Sequence, residues 1–318
     1  MTDLVNEPVR VADVDDRWPT LPVAQWQDTR DTLHLWTQVV GKTALALAPP
    51  LNHWWGVALR VTATGLTTPL LPVGGRGLEV AFDLVDHTLR IALTDGRRRT
   101  MRLKPRSVAD FYAEYRTHLT DLGVDVHLDP LPVELLEVAP FDHDDQHASY
   151  DARAVDVFWR SLVSASTVLS GFRAEFRGKA SPVHFFWGAF DLAVTRFSGR
   201  SAPQHPGGVP NCPDWVMQEA YDAELSSCGY WPGGREEGAF YAYAYPEPHG
   251  FREVALSTPD AAYDVGLGEF VLPYATVRTA TDPEGTLLGF LRETAAAAAD
   301  LGRWPAAGAD SSGSSRTG

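Results

Sequence analysis

The sequence predicts an α+β fold built from two related halves, each a mostly antiparallel sheet with flanking helices. Segments that alternate with a period of two lie between helical segments, and one order of features occurs twice. That order is a helix, a Gly-Lys pair, a histidine with aromatic residues at the head of a strand, further strands and a closing helix. The first copy carries Gly41-Lys42 and His53-Trp54-Trp55-Gly56, and the second carries Gly178-Lys179 and His184-Phe185-Phe186-Trp187-Gly188. The repeat favours a pseudo-twofold duplication, in a TATA-binding-protein-like or glyoxalase-like arrangement. Coincidence is the alternative, because the spacing from Lys to His differs between the copies.

Helices are predicted from their caps and from apolar residues at helical spacing. Ser107 with Asp110 three residues later caps one helix, and Asp282 before Pro283 begins another. Four helices are expected, at about residues 25–40, 107–122, 151–177 and 282–301.

Strands are predicted where apolar and polar residues alternate. The alternation predicts two long strands, a hairpin and two shorter strands, at residues 53–64, 183–197, 78–84 with 89–93, 100–103 and 239–245. The first half of the fold is expected over residues 17–138 and the second over residues 139–304. Residues 1–16 and 305–318 have the composition of disordered termini.

The charge balance narrows the classes of partner. The chain has 41 acidic and 27 basic residues, which leaves a formal net charge of −14. This excess of negative charge argues against nucleic acid and anionic membranes as partners. The sequence has neither a signal segment nor an apolar run of the ~18 residues that a membrane span needs, so a cytoplasmic protein is expected. Cys212 and Cys228 are expected to be reduced thiols.

Two histidines are the leading candidates for chemistry. The alternation turns both His53 and His184 inward, in phase with apolar residues. If the halves pack about a pseudo-twofold axis, the two imidazoles meet in one cleft, as an acid/base pair or as ligands of a divalent metal ion. The alternative is that each is a hydrogen-bonded core histidine. Lys42, Lys179 and Arg196, the last on the predicted face of His184, would bind negative charge.

The loop over residues 198–213 is rich in Gly and Pro and is expected to form the rim of the site. His205 is a candidate catalytic residue, and Arg200 and Asn211 are candidates for substrate binding. Cys212 with His205 as its base would make a nucleophile. An inert thiol is favoured, because nothing in the sequence indicates a lowered pKa for Cys212.

Other residues suggest ligand binding. Tyr241, Tyr243 and Tyr245 alternate along one strand and would offer rings and hydroxyls to a sugar or an aromatic ligand, unless a helix covers that face. His147 is a weak metal candidate, because its acidic segment matches no standard ligand spacing. No phosphate-loop or dinucleotide-binding motif occurs, so the sequence names no nucleotide cofactor.

Several long runs resemble those of a bacterial family of uncharacterised proteins. The resemblance spans about residues 18–304 and implies a family but no particular activity. The runs are Asn52-His53-Trp54-Trp55, His147-Ala148-Ser149-Tyr150-Asp151, Ser181-Pro182-Val183-His184-Phe185-Phe186-Trp187-Gly188, Phe190-Asp191-Leu192-Ala193-Val194-Thr195-Arg196-Phe197-Ser198-Gly199-Arg200 and His205-Pro206-Gly207-Gly208-Val209-Pro210-Asn211, together with residues 32–42.

The sequence thus favours an enzyme that acts on a small polar or anionic metabolite through the histidine pair. The alternative is a non-catalytic binding protein for a sugar or an aromatic ligand. The sequence leaves the reaction, any metal and the oligomeric state open.

Overall fold

The structure is a computed structural model that describes residues 17–305. It contains two antiparallel sheets of six strands each, with flanking helices, which confirms the predicted α+β class. The expectations for residues 1–16 and 306–318 lie outside the described residues.

The strands of the first sheet come from the first half of the chain. In sequence they follow helix α1 (Val23–Leu47) and precede helix α2 (Val108–Asp121). Its strands are β1 (Arg60–Val61), β2 (Gly65–Thr67), β3 (Leu71–Val73), β4 (Arg76–Asp83), β5 (Thr88–Leu93) and β6 (Arg98–Arg102). Their order is β1-β2-β4-β5-β6, with β3 paired to β4. The predicted cap of α2 is confirmed, since the Ser107 hydroxyl accepts the Asp110 N–H at 3.0 Å.

The second sheet lies in the second half and has the order β11-β12-β10-β9-β8-β7. Its strands are β7 (His184–Phe186), β8 (Asp191–Ser201), β9 (Ala223–Trp231), β10 (Ala239–Tyr245), β11 (Ala262–Asp264) and β12 (Glu269–Pro273). Its helices are α3 (Ala152–Ala174), α4 (Asp214–Ala220), α5 (Tyr274–Thr279) and α6 (Pro283–Leu301). No helix between residues 17 and 305 is both long enough and apolar enough to cross a bilayer.

The two sheets meet at their first strands. The Leu59 N–H donates to the Phe185 carbonyl at 2.9 Å, and the Phe185 N–H donates to the Leu59 carbonyl at 2.8 Å. The buried hydrophobic residues of both halves form one cluster, in which Trp36 of α1 stacks on Phe111 at 4.7 Å and on Tyr150 at 5.5 Å.

The predicted strand over residues 53–64 is wrong. Asn52–Trp54 is a short 3-10 turn, and β1 is only two residues long. His53 and Trp54 have φ values of +56° and +61°, in the left-handed region that a strand does not use. His53 is nevertheless buried, at 5% exposure.

The predicted strand over residues 183–197 is also wrong, because it is a hairpin. Phe190, with a φ of +58°, belongs to the turn that separates β7 from β8. His184 pairs with Ala193 across this hairpin, so these two side chains share a face. Arg196 is three positions further along β8, so it lies on the opposite face from His184 rather than on the same one.

Candidate functional site

The candidate site is one face of the second sheet, and the strand register shows which residues lie on it. Ala193 pairs with Gly229, and Gly229 pairs with Tyr241, so residues at these positions and at every second position from them share a face. We call this the polar face, and its polar side chains are those of His184, Asp191, Thr195, Ser227, Tyr241, Tyr243, Tyr245 and Glu269. The other face carries Leu192, Tyr230, Phe240 and Leu272, all fully buried.

Tyr241 reaches Asp191 across an intervening strand. Its hydroxyl donates a short hydrogen bond to the Asp191 carboxylate, although β9 lies between their two strands. Gly229 of β9 makes this reach feasible, because a Cβ there would lie 2.5 Å from the Tyr241 hydroxyl oxygen. The glycine is therefore part of how the site is built.

Glu134 reaches the same region from a loop of the first half. It has a φ of +61°, which is unusual for a residue other than glycine. The Gln38 side chain accepts the Val133 N–H at 2.8 Å and donates to the Val133 carbonyl at 2.9 Å, which fixes the backbone just before Glu134. The residue is exposed at the surface, but its carboxyl lies against Gly188, where a Cβ would overlap it.

Three carboxyls around this face have raised pKa values. Burial raises the pKa of Asp191 to about 6. Burial, together with the nearby charge of Asp191, raises the pKa of Glu269 to about 7. Glu134 is exposed as a residue, but its carboxyl packs against Gly188, and desolvation of that carboxyl, followed by the charge of Asp191, raises its pKa to about 7. None of the three forms an ion pair with a lysine or arginine in the part of the chain that the structure describes. Carboxyls with raised pKa values are suited to acid–base catalysis near neutral pH.

Aromatic side chains surround the carboxyls. The Tyr243 and Tyr221 hydroxyls share a hydrogen bond of 2.8 Å, and Tyr221 stands at the end of α4. The His205 ring packs in a tilted arrangement against the Tyr221 ring at 4.7 Å and the Tyr245 ring at 5.3 Å. The structure therefore brings the predicted rim residue His205 to the predicted Tyr241, Tyr243 and Tyr245 face.

A second cluster lies near the other end of β8. The Lys179 ammonium is 2.8 Å from Nε2 of His53, whose Nδ1 is 3.0 Å from the Ala220 carbonyl oxygen. A carbonyl only accepts, so Nδ1 carries the proton and Nε2 accepts from Lys179. Burial, and then the Lys179 charge, lower the pKa of His53. The Phe197 ring packs against the imidazole at 4.5 Å, with the two ring planes tilted.

His53 is therefore brought to Lys179 rather than to His184. His184 is fully buried and pairs with Ala193, whereas His53 packs on Phe197, four residues or about 13 Å further along β8. One metal ion cannot bridge such a separation, because each metal–nitrogen bond is about 2 Å long. The catalytic role of each histidine stays a prediction.

No group of three or more His, Cys, Asp or Glu side chains within residues 17–305 is arranged to hold a metal ion. Nδ1 of His147 pairs with the Asp144 carboxylate at 2.7 Å. Metal binding by these histidines stays a prediction.

The remaining candidates have structural partners. Lys42 is buried in α1 and pairs with Asp129 at 3.0 Å. Arg196 donates to the Phe172 carbonyl and stacks 3.5 Å from the Phe172 ring centroid. Arg200 donates to Glu224 and to carbonyls at the end of α6.

Two further residues lie beside the polar face. Asn211 donates to the Leu135 carbonyl at 2.8 Å, next to Glu134. Burial raises the pKa of Cys212, which argues against a reactive thiolate there.

Sequence reasoning did not select Glu134, Asp191, Tyr221 or Glu269. Asp191 lies inside a run that carries the family resemblance, and that run was the only available signal for it. Glu134 is 57 residues from Asp191, so only the fold shows that they are neighbours.

No curated protein and no solved structure matches this chain. The model of DUF5996, described as a family of unknown function, matches residues 18–311. That match covers most of the 318 residues, so the chain belongs to the DUF5996 family.

Proposed function

We propose that the protein is a small-molecule enzyme whose substrate binds at the polar face and exchanges a proton with Asp191 and Glu134. The observation that carries this proposal is the pair of carboxyls with raised pKa values and no cation partner in residues 17–305. Two carboxyls with raised pKa values can hold different protonation states near neutral pH, so one can donate a proton while the other accepts one.

The substrate class follows from the charge of the face. Carboxyls without a neighbouring cation repel an anion, so the polar alternative for the substrate is favoured over the anionic one. Hydroxyl groups on the ligand would pair with the carboxyls, and sugar-like rings would pack on Tyr221 and Tyr245. We propose an uncharged, hydroxyl-bearing metabolite.

The test begins without a ligand. Carboxyl carbons labelled with ¹³C, followed by NMR across pH 3–9, are expected to show carboxyls that titrate near pH 6–7. Asp191→Asn and Glu134→Gln should each remove one of these titrations, whereas Glu253→Gln, at an exposed glutamate, should remove neither. If every carboxyl titrates below pH 5, the proposal fails.

A ligand screen then separates an enzyme from a binder. A thermal-shift panel of neutral sugars and polyols, with sugar phosphates as the charged comparison, is expected to yield neutral hits. Asp191→Asn should abolish turnover of a hit while leaving its binding within about tenfold, since the amide keeps the shape and loses the proton. Binding without turnover would favour the alternative, a non-catalytic protein for a sugar or an aromatic ligand, which the ring cluster around Tyr243 also suits.

We also infer that the two halves arose by duplication about a pseudo-twofold axis. Equal strand numbers and the reciprocal hydrogen bonds between Leu59 and Phe185 support this inference. We place the activity in a reducing compartment such as the cytoplasm, which the free thiols of Cys212 and Cys228 favour.

A further inference from the structure

Lys179 differs from the other two lysines of the chain in its partner. The chain has only Lys42, Lys104 and Lys179. Lys42 is buried and paired with a carboxylate, and Lys104 is exposed on the surface after β6. Lys179 forms no ion pair with a carboxylate in residues 17–305. Its ammonium instead donates a hydrogen bond to the imidazole of His53 at 2.8 Å.

His53 is oriented to act as a base toward this amine. Its Nδ1 proton is directed at the Ala220 carbonyl, and the Asp222 carboxylate lies 3.5 Å from the same nitrogen. The lone pair on Nε2 therefore faces Lys179. A nucleophile, a base and a group that orients the base form the arrangement that activates side-chain nucleophiles in enzymes.

The surroundings of the amine suit an apolar ligand. The Lys179 nitrogen lies 4.8 Å from the Phe197 ring centroid and 5.6 Å from that of Trp55. Lys179 is exposed at the surface whereas His53 is buried, so a small molecule can reach the amine while the base stays shielded from bulk water.

We propose that Lys179 is a reactive amine that condenses with an aldehyde or a ketone bearing an apolar body, with His53 as the proton carrier. His53 takes a proton from the ammonium, and the free amine adds to the carbonyl carbon. A C–N bond forms, the carbonyl π bond breaks to leave a C–O single bond, and one amine proton moves to that oxygen to give the carbinolamine. His53 then returns its proton to the carbinolamine hydroxyl, which leaves as water, and a protonated Schiff base remains. The site uses none of the polar side chains assigned to the polar face, so either proposal can fail without the other.

The experiment traps the Schiff base on the full chain. Benzaldehyde with sodium cyanoborohydride at pH 7 converts it into a stable benzyl amine, which peptide mass mapping assigns to one lysine. Lys104 is the matched control, because it is exposed and donates no hydrogen bond to an imidazole within residues 17–305. We expect Lys179 to be labelled about tenfold faster than Lys104, and Lys179→Arg to lose the adduct without a change in its unfolding temperature. Equal labelling of Lys104 and Lys179 would overturn the proposal.

His53→Asn tests the role of the base. Asparagine tolerates a φ of +56° and can still donate to the Ala220 carbonyl, but it cannot take a proton from the amine. The preference for Lys179 should fall to that of an ordinary exposed lysine. A preference that persists in this variant would overturn the role of His53.

A pH series on the unsubstituted protein gives the same answer should His53→Asn not fold. The ratio of Lys179 labelling to Lys104 labelling should fall below pH 6.5, where His53 takes up a proton and can no longer accept one from the amine. Coincident pH profiles would count against the proposal.

Discussion

At the scale of single residues, His184 is the clearest case in which burial decides chemistry. Its side chain is fully buried, and neither ring nitrogen has a hydrogen-bond partner among the described residues. Burial, and then the charge of Arg60, lower the pKa of His184 to about 3. The imidazole is therefore neutral in the folded protein at any pH near neutrality.

This lowered pKa predicts a loss of stability in acid. In the unfolded chain this histidine takes up a proton below about pH 6.5, whereas folded His184 does so only near pH 3. Protonation therefore favours the unfolded state. The free energy of unfolding is highest above pH 6.5 and decreases as the pH falls below that value. His184→Leu fills a similar volume without titrating. By pH 4 the parent protein should have lost about 3 kcal/mol of its free energy of unfolding, and the variant should keep this amount.

Urea unfolding at pH 7 and pH 4 measures this difference. The exposed His127→Gln is the control and should follow the parent protein at both values. His34, whose pKa burial lowers to about 4, leaves part of the acid dependence in place in every variant. An unchanged acid dependence in His184→Leu would contradict the prediction.

Residue-scale prediction from the sequence succeeded where one side chain decides the outcome. His53 and His184 are both buried as predicted, and Tyr241 and Tyr243 lie on one face as the alternation indicates. The partners of these residues could not be predicted, because contacts such as that between Asp191 and Tyr241 depend on register across three strands.

At the scale of elements, caps and turns explain which predictions held. The helix beginning at Asp282 is confirmed, because this side chain accepts the Gly285 N–H at 2.9 Å and Pro283 follows it. The hairpin of β7 and β8 was not recognised, because its turn contains Phe190 at a positive φ instead of the glycine or asparagine that marks most such positions. The alternation continues across the turn and imitates one strand.

The contact between α1 and the β7–β8 turn provides an element-scale prediction. A Cβ at Gly41 of α1 would overlap the indole of Trp187, which is itself 6% exposed. Gly41→Ala should therefore destabilise the protein by about 1–3 kcal/mol, despite the higher helix propensity of alanine.

Gly171→Ala is the matched control in α3, where a new Cβ would meet no atom within 4 Å. At this position the higher helix propensity of alanine acts without any steric overlap, so the substitution should stabilise the protein by about 0.5–1 kcal/mol. Urea unfolding measures both variants. Equal effects of the two substitutions would show that Trp187 does not pack on Gly41 as described.

At the scale of the whole molecule, the two halves are joined by more than the chain between them. The reciprocal hydrogen bonds of Leu59 and Phe185 link the sheets, and the buried hydrophobic cluster contains residues from both halves. The repeated order of sequence features predicted two halves. It could not show where they join, because β1 is too short to leave a clear pattern of alternation.

This shared core predicts one cooperative unfolding transition. Trp36 of the first half stacks on Tyr150 of the second, and this stack fills the space between α1 and α2. If the second half unfolds, Tyr150 leaves the stack and the packing between the helices is incomplete. We therefore expect that neither half keeps its packing once the other unfolds. Calorimetry should give a van't Hoff enthalpy equal to the measured enthalpy, and tryptophan fluorescence and far-UV circular dichroism should follow one curve in urea.

A fragment of residues 17–138 should lack a cooperative transition by itself. Two separate transitions, or a fragment that folds with native-like cooperativity, would mean that the halves are independent domains and that the bridge at Leu59 adds little to their stability.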